Sequence, residues 1–268
     1  MKYDFIFIVL VYRNTKDLQD FFASLSLPRT KVVVVNSYYD EETDKEFKSI
    51  AEDNNADYLS VPNNGYGAGN NMGIEYAIVN YDFRYLVISN ADIEIDCMSV
   101  ESLGKYSSDI IAPDIINLKG RHQNPHLPFA KSKLFYLIQY CIYKYNLPKL
   151  RIVFAVLSRL NKIVFHLLNK ISGYNKVFAA HGAFFILPQN VLLKLVPLYD
   201  ENVFMYGEET HVGMLAAKHG ITTRYIKSVK IRHKEDGSSS LANLNMFNLE
   251  KKSFEALLKY WYNIKLKS

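Results

Sequence analysis

The fold is decided by one stretch, Tyr85-Leu86-Val87-Ile88-Ser89-Asn90-Ala91-Asp92-Ile93-Glu94-Ile95. Its apolar, β-branched beginning predicts a buried strand, and the polar turn that follows puts Asp92 where that strand ends. In open α/β sheets, ligands bind at the carboxyl ends of the parallel strands. A carboxylate at that edge can hold a divalent cation against a phosphate. An isolated Asn-Ala-Asp is also typical of a plain turn or a helix cap, so its interpretation depends on the rest of the chain.

The composition limits the classes of protein to consider. With 268 residues, of which 49% are hydrophobic, the chain can bury one large core. Cys97 and Cys141 have neither metal-ligand spacing nor a disulfide framework, which favours a reducing compartment. The first residues are strand-like and interrupted by Asp4, so we expect no signal peptide. No uninterrupted apolar run reaches the ~20 residues that cross a bilayer, and we expect a chain that is not integral to a membrane.

Charge is distributed unevenly along the chain. The net charge is +5, yet the segment Ile115 to Tyr199 contains no Asp or Glu. The same segment contains twelve Lys or Arg residues, at positions 119, 121, 131, 133, 144, 149, 151, 159, 162, 170, 176 and 194. Such a block indicates an anionic partner, which could be a membrane surface, a nucleic acid or a phosphorylated ligand.

Strands and helices alternate in the first half of the chain. This order predicts a parallel, doubly wound sheet with right-handed crossovers. The predicted strands are 5–12, 31–35, 58–61, 85–88 and 110–113, and the predicted helices are a capped one from Asn14-Thr15, then 41–54, 74–79 and 99–106.

A glycine-rich loop, 62–73, precedes the predicted helix 74–79. Its glycines permit close approach of the backbone, and the helix N-terminus favours an anion. The spacing does not fit a dinucleotide fingerprint, because the sixth position is Met72 when counted from Gly67 and Asn70 when counted from Gly65.

Residues 127–176 differ from the rest of the sequence, since aromatic and aliphatic residues alternate with Lys and Arg. On a helix 151–170, basic and polar side chains gather on one side and apolar ones on the other, with no acidic residue. One interpretation is a helix that packs on the core and exposes its basic face. The other, which the absence of acids favours, is contact with an anionic membrane surface. Nucleic acid is disfavoured because no recognition motif accompanies the charge.

The remainder returns to globular sequence. A strand 177–187 containing His181-Gly182 is predicted, with a close approach of the backbone at the glycine. Glu208-Glu209 opens a helix that continues over 212–218, where two acids either complement the helix dipole or supply a general base. A last strand, 226–232, is followed by His233, and a helix is predicted over 246–262.

Taken in order, these pieces resemble the family-2 inverting glycosyltransferases of the GT-A fold, particularly the bacterial rhamnosyltransferase-like members that build O-antigens and capsules. The resemblance covers about residues 5 to 240. It is carried by the first strand with Tyr12, the strand ending at Asn36, the loop 64–73, Asn90-Ala91-Asp92, His181-Gly182-Ala183, Asp200-Glu201 through Glu208-Glu209, and the His-x-x-x-Gly-Ser pattern 233–238. Asn36 and Glu209 stand where the family usually has Asp.

The resemblance implies a fold and a set of roles. The fold is a Rossmann-like, mixed and mostly parallel α/β sheet flanked by helices, with a basic amphipathic helical insertion. Asp92 and His233 are expected to hold Mg²⁺ or Mn²⁺, Glu209 to act as the base, and Glu208 to orient the acceptor. The expected nucleotide-sugar residues are Tyr12, Asn36, Asn64, Gly65, Gly67, Asn71, Asn90 and Asp92, and the expected acceptor-side residues are His181, Gly182 and Asp200.

The implied activity is transfer of a sugar, with rhamnose as one type, from a dTDP- or UDP-sugar to a lipid-linked saccharide. The expected location is cytoplasmic, on the inner face of the cell membrane. One domain, 1–268, is expected, with a nucleotide-sugar half (1–114), an insertion (127–176), an acceptor and catalytic half (177–240) and a C-terminal helix (241–268). A nucleotidyltransferase and an inactive, membrane-docking scaffold of the same fold remain as alternatives.

Overall fold

The computed structural model of the protein describes residues 2–235 and 246–264. Within them the chain forms a nine-stranded mixed sheet with helices on both faces. The strands are β1 (Lys2–Val11), β2 (Thr30–Ser37), β3 (Asp57–Val61), β4 (Asp82–Asn90), β5 (Ile93–Cys97), β6 (Ile110–Asn117), β7 (Lys176–Val177), β8 (Phe184–Pro188) and β9 (Thr223–His233). The helices are α1 (Thr15–Ser24), α2 (Glu41–Asp53), α3 (Tyr66–Asn80), α4 (Val100–Leu103), α5 (Lys133–Lys144), α6 (Pro148–Ser172), α7 (Gln189–Leu195), α8 (Glu208–Lys218) and α9 (Met246–Tyr262).

The order of the strands is β3-β2-β1-β4-β8-β6-β9-β5, and β7 pairs with β9. The strands β3, β2, β1 and β4 run parallel, as do β6 and β9, whereas β8 is antiparallel to both of its neighbours. The predicted α/β architecture, a mostly parallel sheet flanked by helices, is confirmed.

The core lies on both faces of the sheet because the central strands contain uninterrupted runs of apolar residues. In β1, Ile6 and Ile8 face one apolar cluster, while Phe5 and Phe7 face the other. All four side chains are at most 1% exposed. A strand buried on both faces reads as a continuous apolar run, which is why β1 and β4 were recognisable in the sequence.

The glycine-rich stretch is mostly helical, so the prediction of a loop as far as residue 73 was wrong. The helix α3 begins at Tyr66. A Cβ added to Gly73 would lie 2.6 Å from Cγ2 of Ile8 and 2.7 Å from Cγ2 of Val35. The glycines therefore let a helix pack closely on β1 and β2, and this tertiary contact outweighs their low helix propensity.

The predicted strand 177–187 is also interrupted. The strands β7 and β8 are separated by residues 178–183, and a turn at Gly182 brings the backbone beside α8. The turn between the two strands therefore provides the close approach of the backbone that was expected at Gly182.

The segment 127–176 contains α5 and α6. Helix α5 packs on α9 through a small cluster that includes Tyr136, Tyr140, Leu257 and Leu258. One helix among the described residues, Lys149–Ser172 within α6, is long and apolar enough by length and composition alone to cross a membrane. The expectation that no segment reaches this criterion was wrong, because the sequence was searched for uninterrupted apolar runs and α6 contains dispersed basic residues.

Candidate active site

A pocket of about 330 Å³ opens where β1 and β4 end and α8 begins. The carboxyl edge of the sheet forms its floor, as expected for an open α/β fold. Nine of the residues singled out in the sequence line it, namely Tyr12, Gly65, Asn90, Asp92, His181, Gly182, Glu208, Glu209 and His233.

The sheet register brings Asp92 and His233 together. The turn after β4 carries Asp92, and β5, which follows immediately, pairs with β9 so that Ile93 lies opposite His233. The backbone N–H of Lys234 also donates to the carbonyl oxygen of Asp92 at 3.0 Å. As a result, Oδ2 of Asp92 lies 3.1 Å from Nε2 of His233, and both side chains are buried.

The other ring nitrogen of His233 is held by a chain of hydrogen bonds. Its Nδ1 lies 2.7 Å from Oε1 of Gln123, while Nε2 of Gln123 donates to Oε1 of Glu235 at 2.7 Å. Because the Glu235 carboxylate accepts, Gln123 must present its oxygen to the imidazole, and His233 must carry a proton on Nδ1. Nε2 then faces the Asp92 carboxylate with a second proton or with a lone pair directed at a cation.

This arrangement fits a divalent cation, which the fold family implies. Oδ2 of Asp92 and Nε2 of His233 lie 3.1 Å apart, close enough for both atoms to contact one divalent cation. A histidine ligand that donates its second N–H to an oxygen is the usual outer-shell arrangement. Among the described residues no cluster of three or more His, Cys, Asp or Glu side chains could hold a metal ion by itself. A cation held by Asp92 and His233 would therefore take its remaining ligands from phosphate oxygens and water.

Two adjacent carboxylates face the same pocket from the first turn of α8. The backbone N–H of Gly182 donates to Oε1 of Glu209 at 3.3 Å, whereas Oε1 of Glu208 is buried and has no hydrogen-bond partner within 2–235 and 246–264. Burial, followed by repulsion from Glu209, raises the pKa of Glu208 to about 8. At neutral pH Glu208 is therefore mostly a neutral carboxylic acid, and it can donate a hydrogen bond.

His181 lies between the two halves of the site. Its backbone N–H donates to Oδ1 of Asn124 at 2.9 Å, and its Nδ1 accepts from the N–H of Ala183 at 3.1 Å. The ring contacts those of His126 and His233, with centroids 5.1 and 5.7 Å apart. Burial lowers the pKa of His181 to about 3, so the ring is neutral with its proton on Nε2.

An aromatic and cationic cluster borders the pocket at the end of β1, and its two tyrosine rings meet edge to face. The ring of Tyr12 lies 5.7 Å from that of Tyr39, and the Arg13 guanidinium lies 3.9 Å from the Tyr39 ring centroid. Tyr12 lines the pocket, and Tyr39 remains 46% exposed. Flat rings at a pocket edge can stack on a nucleobase.

Five of the residues predicted for the site do not line this pocket, namely Asn36, Asn64, Gly67, Asn71 and Asp200. Asn36 is 1% exposed, and its Nδ2 donates to Asp44 and to the hydroxyl of Tyr58. Asn71 exchanges hydrogen bonds with the backbone of Tyr199.

The remaining three have local contacts. Gly67 lies against the Tyr199 side chain, the backbone N–H of Asn64 donates to the Pro62 carbonyl, and Asp200 accepts from Asn202. The end of the 233–238 pattern, Gly237 and Ser238, lies outside the described residues.

Sequence reasoning missed three residues that shape the site. Tyr66 donates its hydroxyl proton to the carbonyl oxygen of Gly182 at 2.8 Å and lines the pocket. Gln123 contacts His233, which lies 110 residues further along the chain. Glu235, 112 residues from Gln123, accepts a hydrogen bond from the Gln123 side chain. Tyr66 could have been found from its place in the glycine-rich stretch, but no local signal marks Gln123.

Comparisons with known proteins agree with this architecture. No protein-family model matches the chain. The chain is 25% identical over 237 residues to the low-salt glycan biosynthesis hexosyltransferase Agl10 of Haloferax volcanii, which covers 87% of this chain and 67% of the relative.

Two solved structures share the fold. One is GalNAc-T7 with UDP, GalNAc and Mn²⁺, with a TM-score of 0.59, 13% identity and coverage of 87% of this chain. The other is S. aureus TarS, with a TM-score of 0.55, 12% identity and coverage of 98%. The chain spans 44% and 46% of these two proteins. It therefore has the GT-A fold of glycosyltransferases.

Proposed function

We propose that this chain is a metal-dependent, inverting glycosyltransferase of the family-2 type. The observation that carries the proposal is the meeting, in one pocket, of the Asp92–His233 pair and the Glu209 carboxylate at the carboxyl edge of a GT-A sheet. The likeness to a glycan biosynthesis hexosyltransferase supports a sugar-transfer activity.

The donor is a nucleoside diphosphate sugar. The aromatic cluster at Tyr12 would receive the base, and a GT-A structure with UDP and Mn²⁺ supports a pyrimidine diphosphate. When bound, the cation held by Asp92 and His233 would neutralise charge on the leaving diphosphate. The rhamnosyl-type resemblance makes dTDP-rhamnose the first sugar donor to test beside UDP-hexoses.

The chain's own residues supply the proton transfer. Glu209, oriented by the N–H of Gly182, takes the proton of an acceptor hydroxyl. The hydroxyl oxygen bonds to the anomeric carbon while the bond from that carbon to the diphosphate oxygen breaks, and the configuration inverts. Glu208, neutral and facing the same pocket, donates a hydrogen bond that orients the acceptor.

The acceptor is a lipid-linked saccharide of the kind used for O-antigen, capsule or other surface glycans. This assignment gives the basic segment 127–176 a purpose, since it would hold the enzyme on the inner face of the cell membrane. The enzyme is then cytoplasmic and peripheral.

A thermal-shift screen tests the proposal. The wild type, Asp92→Ala and the control Asp96→Ala are heated with dTDP, UDP, GDP or CDP, each with and without Mn²⁺. Asp96 is a suitable control because it lies in β5, four residues after Asp92, and forms an ion pair with Arg232 outside the pocket. We expect metal-dependent stabilisation by one pyrimidine diphosphate that Asp92→Ala alone abolishes. No stabilisation of the folded wild type by any nucleotide would favour the inactive scaffold.

A further inference from the structure

Helix α6 presents most of its aliphatic side chains to solvent and contacts the protein through a narrow strip that includes Phe165 and Lys162. Ten exposed aliphatic side chains form what we call the apolar ridge: Ile152, Val153, Val156, Leu157, Leu160, Ile163, Val164, Leu167, Leu168 and Ile171. Soluble proteins normally expose such residues singly, and a contiguous patch marks an interaction site.

The ridge is continuous along the helix. Positions 153, 157, 160, 164, 167 and 171 recur every three or four residues, so they form one straight line of side chains. Its exposed fractions reach 66% at Ile152 and 82% at Ile171, near the two ends of a line roughly 28 Å long.

The opposite side of α6 contacts the rest of the molecule. Phe165 is fully buried against Tyr174 and Tyr225, with ring centroids 6.1 and 5.9 Å away. Lys162 donates to the carbonyl oxygen of Gln123 at 3.4 Å. Because this side of α6 packs on the protein, the helix could not cross a bilayer without losing these contacts. A partner can therefore contact α6 only along its exposed ridge.

The ridge could contact either a second copy of the chain or a membrane, and the charge of the surrounding segment favours the membrane. The segment 115–199 carries twelve cationic side chains and no acidic one. A second copy of the chain docked on the ridge would bring two such segments face to face, whereas an anionic leaflet attracts the segment. An apolar strip beside basic residues such as Arg159 and Lys170 has the composition of helices that lie in the membrane interface.

We propose that the apolar ridge of α6 inserts into the interface of an anionic membrane, with the helix parallel to the surface. The membrane contact is then made mainly by aliphatic side chains and not by the basic face considered in the sequence. Two basic residues of that face, Arg151 and Lys162, are engaged with Glu250 and Gln123 instead.

The position of the ridge determines how far the pocket would lie from the membrane surface. Gln123 accepts from Lys162 of α6 through its backbone and contacts His233 of the pocket through its side chain. The pocket therefore lies behind the helix, separated from the membrane by about one helix diameter, roughly 10 Å. This part of the inference rests on the proposed function, since it gives the pocket access to a sugar linked to a lipid headgroup.

Co-sedimentation with lipid vesicles tests the proposal. The double variant Leu160→Gln/Leu167→Gln removes apolar area from the ridge, and Val79→Gln/Leu193→Gln is the matched control. Leu160 and Leu193 are each 51% exposed, and Val79 is 78% exposed on another helix. With equimolar phosphatidylglycerol and phosphatidylcholine, we expect the ridge variant to bind roughly 30-fold more weakly and the control to bind like the wild type.

Charge and oligomeric state are measured on the same proteins. Arg159→Glu/Lys170→Glu is expected to weaken binding to the anionic vesicles, and pure phosphatidylcholine is expected to bind the wild type less. Equal binding of the ridge variant and the wild type would overturn insertion. A wild-type dimer that does not bind vesicles and becomes a monomer in the ridge variant, by light scattering, would also overturn it.

The nucleotide-dependent thermal shift of the ridge variant separates this inference from the proposed function. A variant that keeps the wild-type shift but does not bind vesicles supports the ridge as the docking surface. A wild type that shows the nucleotide shift but binds no vesicle leaves the transferase proposal standing and overturns the docking.

Discussion

The pocket and helix α6 depart from the usual distribution of residues in opposite directions. The pocket buries ionisable side chains, among them Asp92, Glu208 and His233, whereas the apolar ridge of α6 exposes ten aliphatic ones. Neither arrangement favours the folded state by itself, since buried charges need partners and exposed apolar area gains nothing from folding. The difference indicates that stability resides in the sheet core, and it is the reason for proposing a ligand for the pocket and a membrane surface for α6.

The largest effect is expected at Glu209, the proposed base in the pocket. Glu209→Gln keeps the shape of the side chain but cannot take a proton, so we expect the turnover number to fall roughly 10³-fold. Nucleotide affinity should stay at the wild-type value, because in the proposed mechanism this carboxylate contacts the acceptor and not the nucleotide. The measurement is steady-state release of nucleoside diphosphate, with Glu201→Gln as the control outside the pocket. A fall in affinity with unchanged turnover would assign Glu209 to donor binding.

The two sides of α6 should differ in stability. Phe165 is fully buried, so Phe165→Ala should lower the free energy of unfolding by about 3–5 kcal/mol. Leu160→Gln, on the exposed ridge, should change it by no more than about 0.5 kcal/mol. Urea unfolding measures both. Equal losses in the two variants would mean that the ridge is part of the folded core.

The hydrogen bonds behind His233 provide a test of positioning. Gln123→Leu removes the oxygen that fixes the Nδ1 proton, and we expect Mn²⁺ affinity to fall about 10- to 100-fold. Gln123→Glu retains an acceptor for Nδ1 but loses the N–H donated to Glu235 and sets a second carboxylate beside it, so it should restore the affinity only in part. Electron paramagnetic resonance of free Mn²⁺ measures binding without requiring turnover. Identical affinities in the wild type and Gln123→Leu would remove Gln123 from the site.

The smallest effect concerns the pH dependence of stability at Glu208. Its pKa is raised in the folded state, so its contribution to stability is fully present below the unfolded pKa of about 4.5 and is lost as pH rises through about 8. Glu208→Gln mimics the neutral acid. It should raise the melting temperature on the order of 5 °C at pH 8.5 and change it little near pH 4. An increase of the same size at both pH values would contradict burial of a titrating carboxyl.

The sequence predicted the sheet core well because local apolar runs specify buried strands. β1, β2 and β4 each read as continuous apolar segments, and the alternation with helices followed from turn and cap residues. The glycine-rich stretch was misjudged because α3 forms through packing on Ile8 and Val35, which are distant in sequence.

Sequence patterns also located the residues that follow a strand or open a helix. Asp92 and Glu209 belong to this group, and both line the pocket. Gln123 could not be found, since its role depends on a sheet register that brings residues more than 100 positions apart into contact. The sequence also could not show which side of α6 packs on the protein. Periodicity separates an apolar from a polar face but does not say which of them contacts the core.

The most direct test of the central claim is the release of nucleoside diphosphate from a dTDP- or UDP-sugar by the purified protein, supplied with a lipid-linked saccharide whose hydroxyl accepts the sugar. It is measured with Mn²⁺, with a chelator, and in Asp92→Ala and Asp96→Ala. The account predicts release by the wild type and Asp96→Ala that stops in the chelator and in Asp92→Ala. Release that is the same in all four conditions, or no release from any sugar nucleotide by protein that is folded and loaded with Mn²⁺, would contradict it.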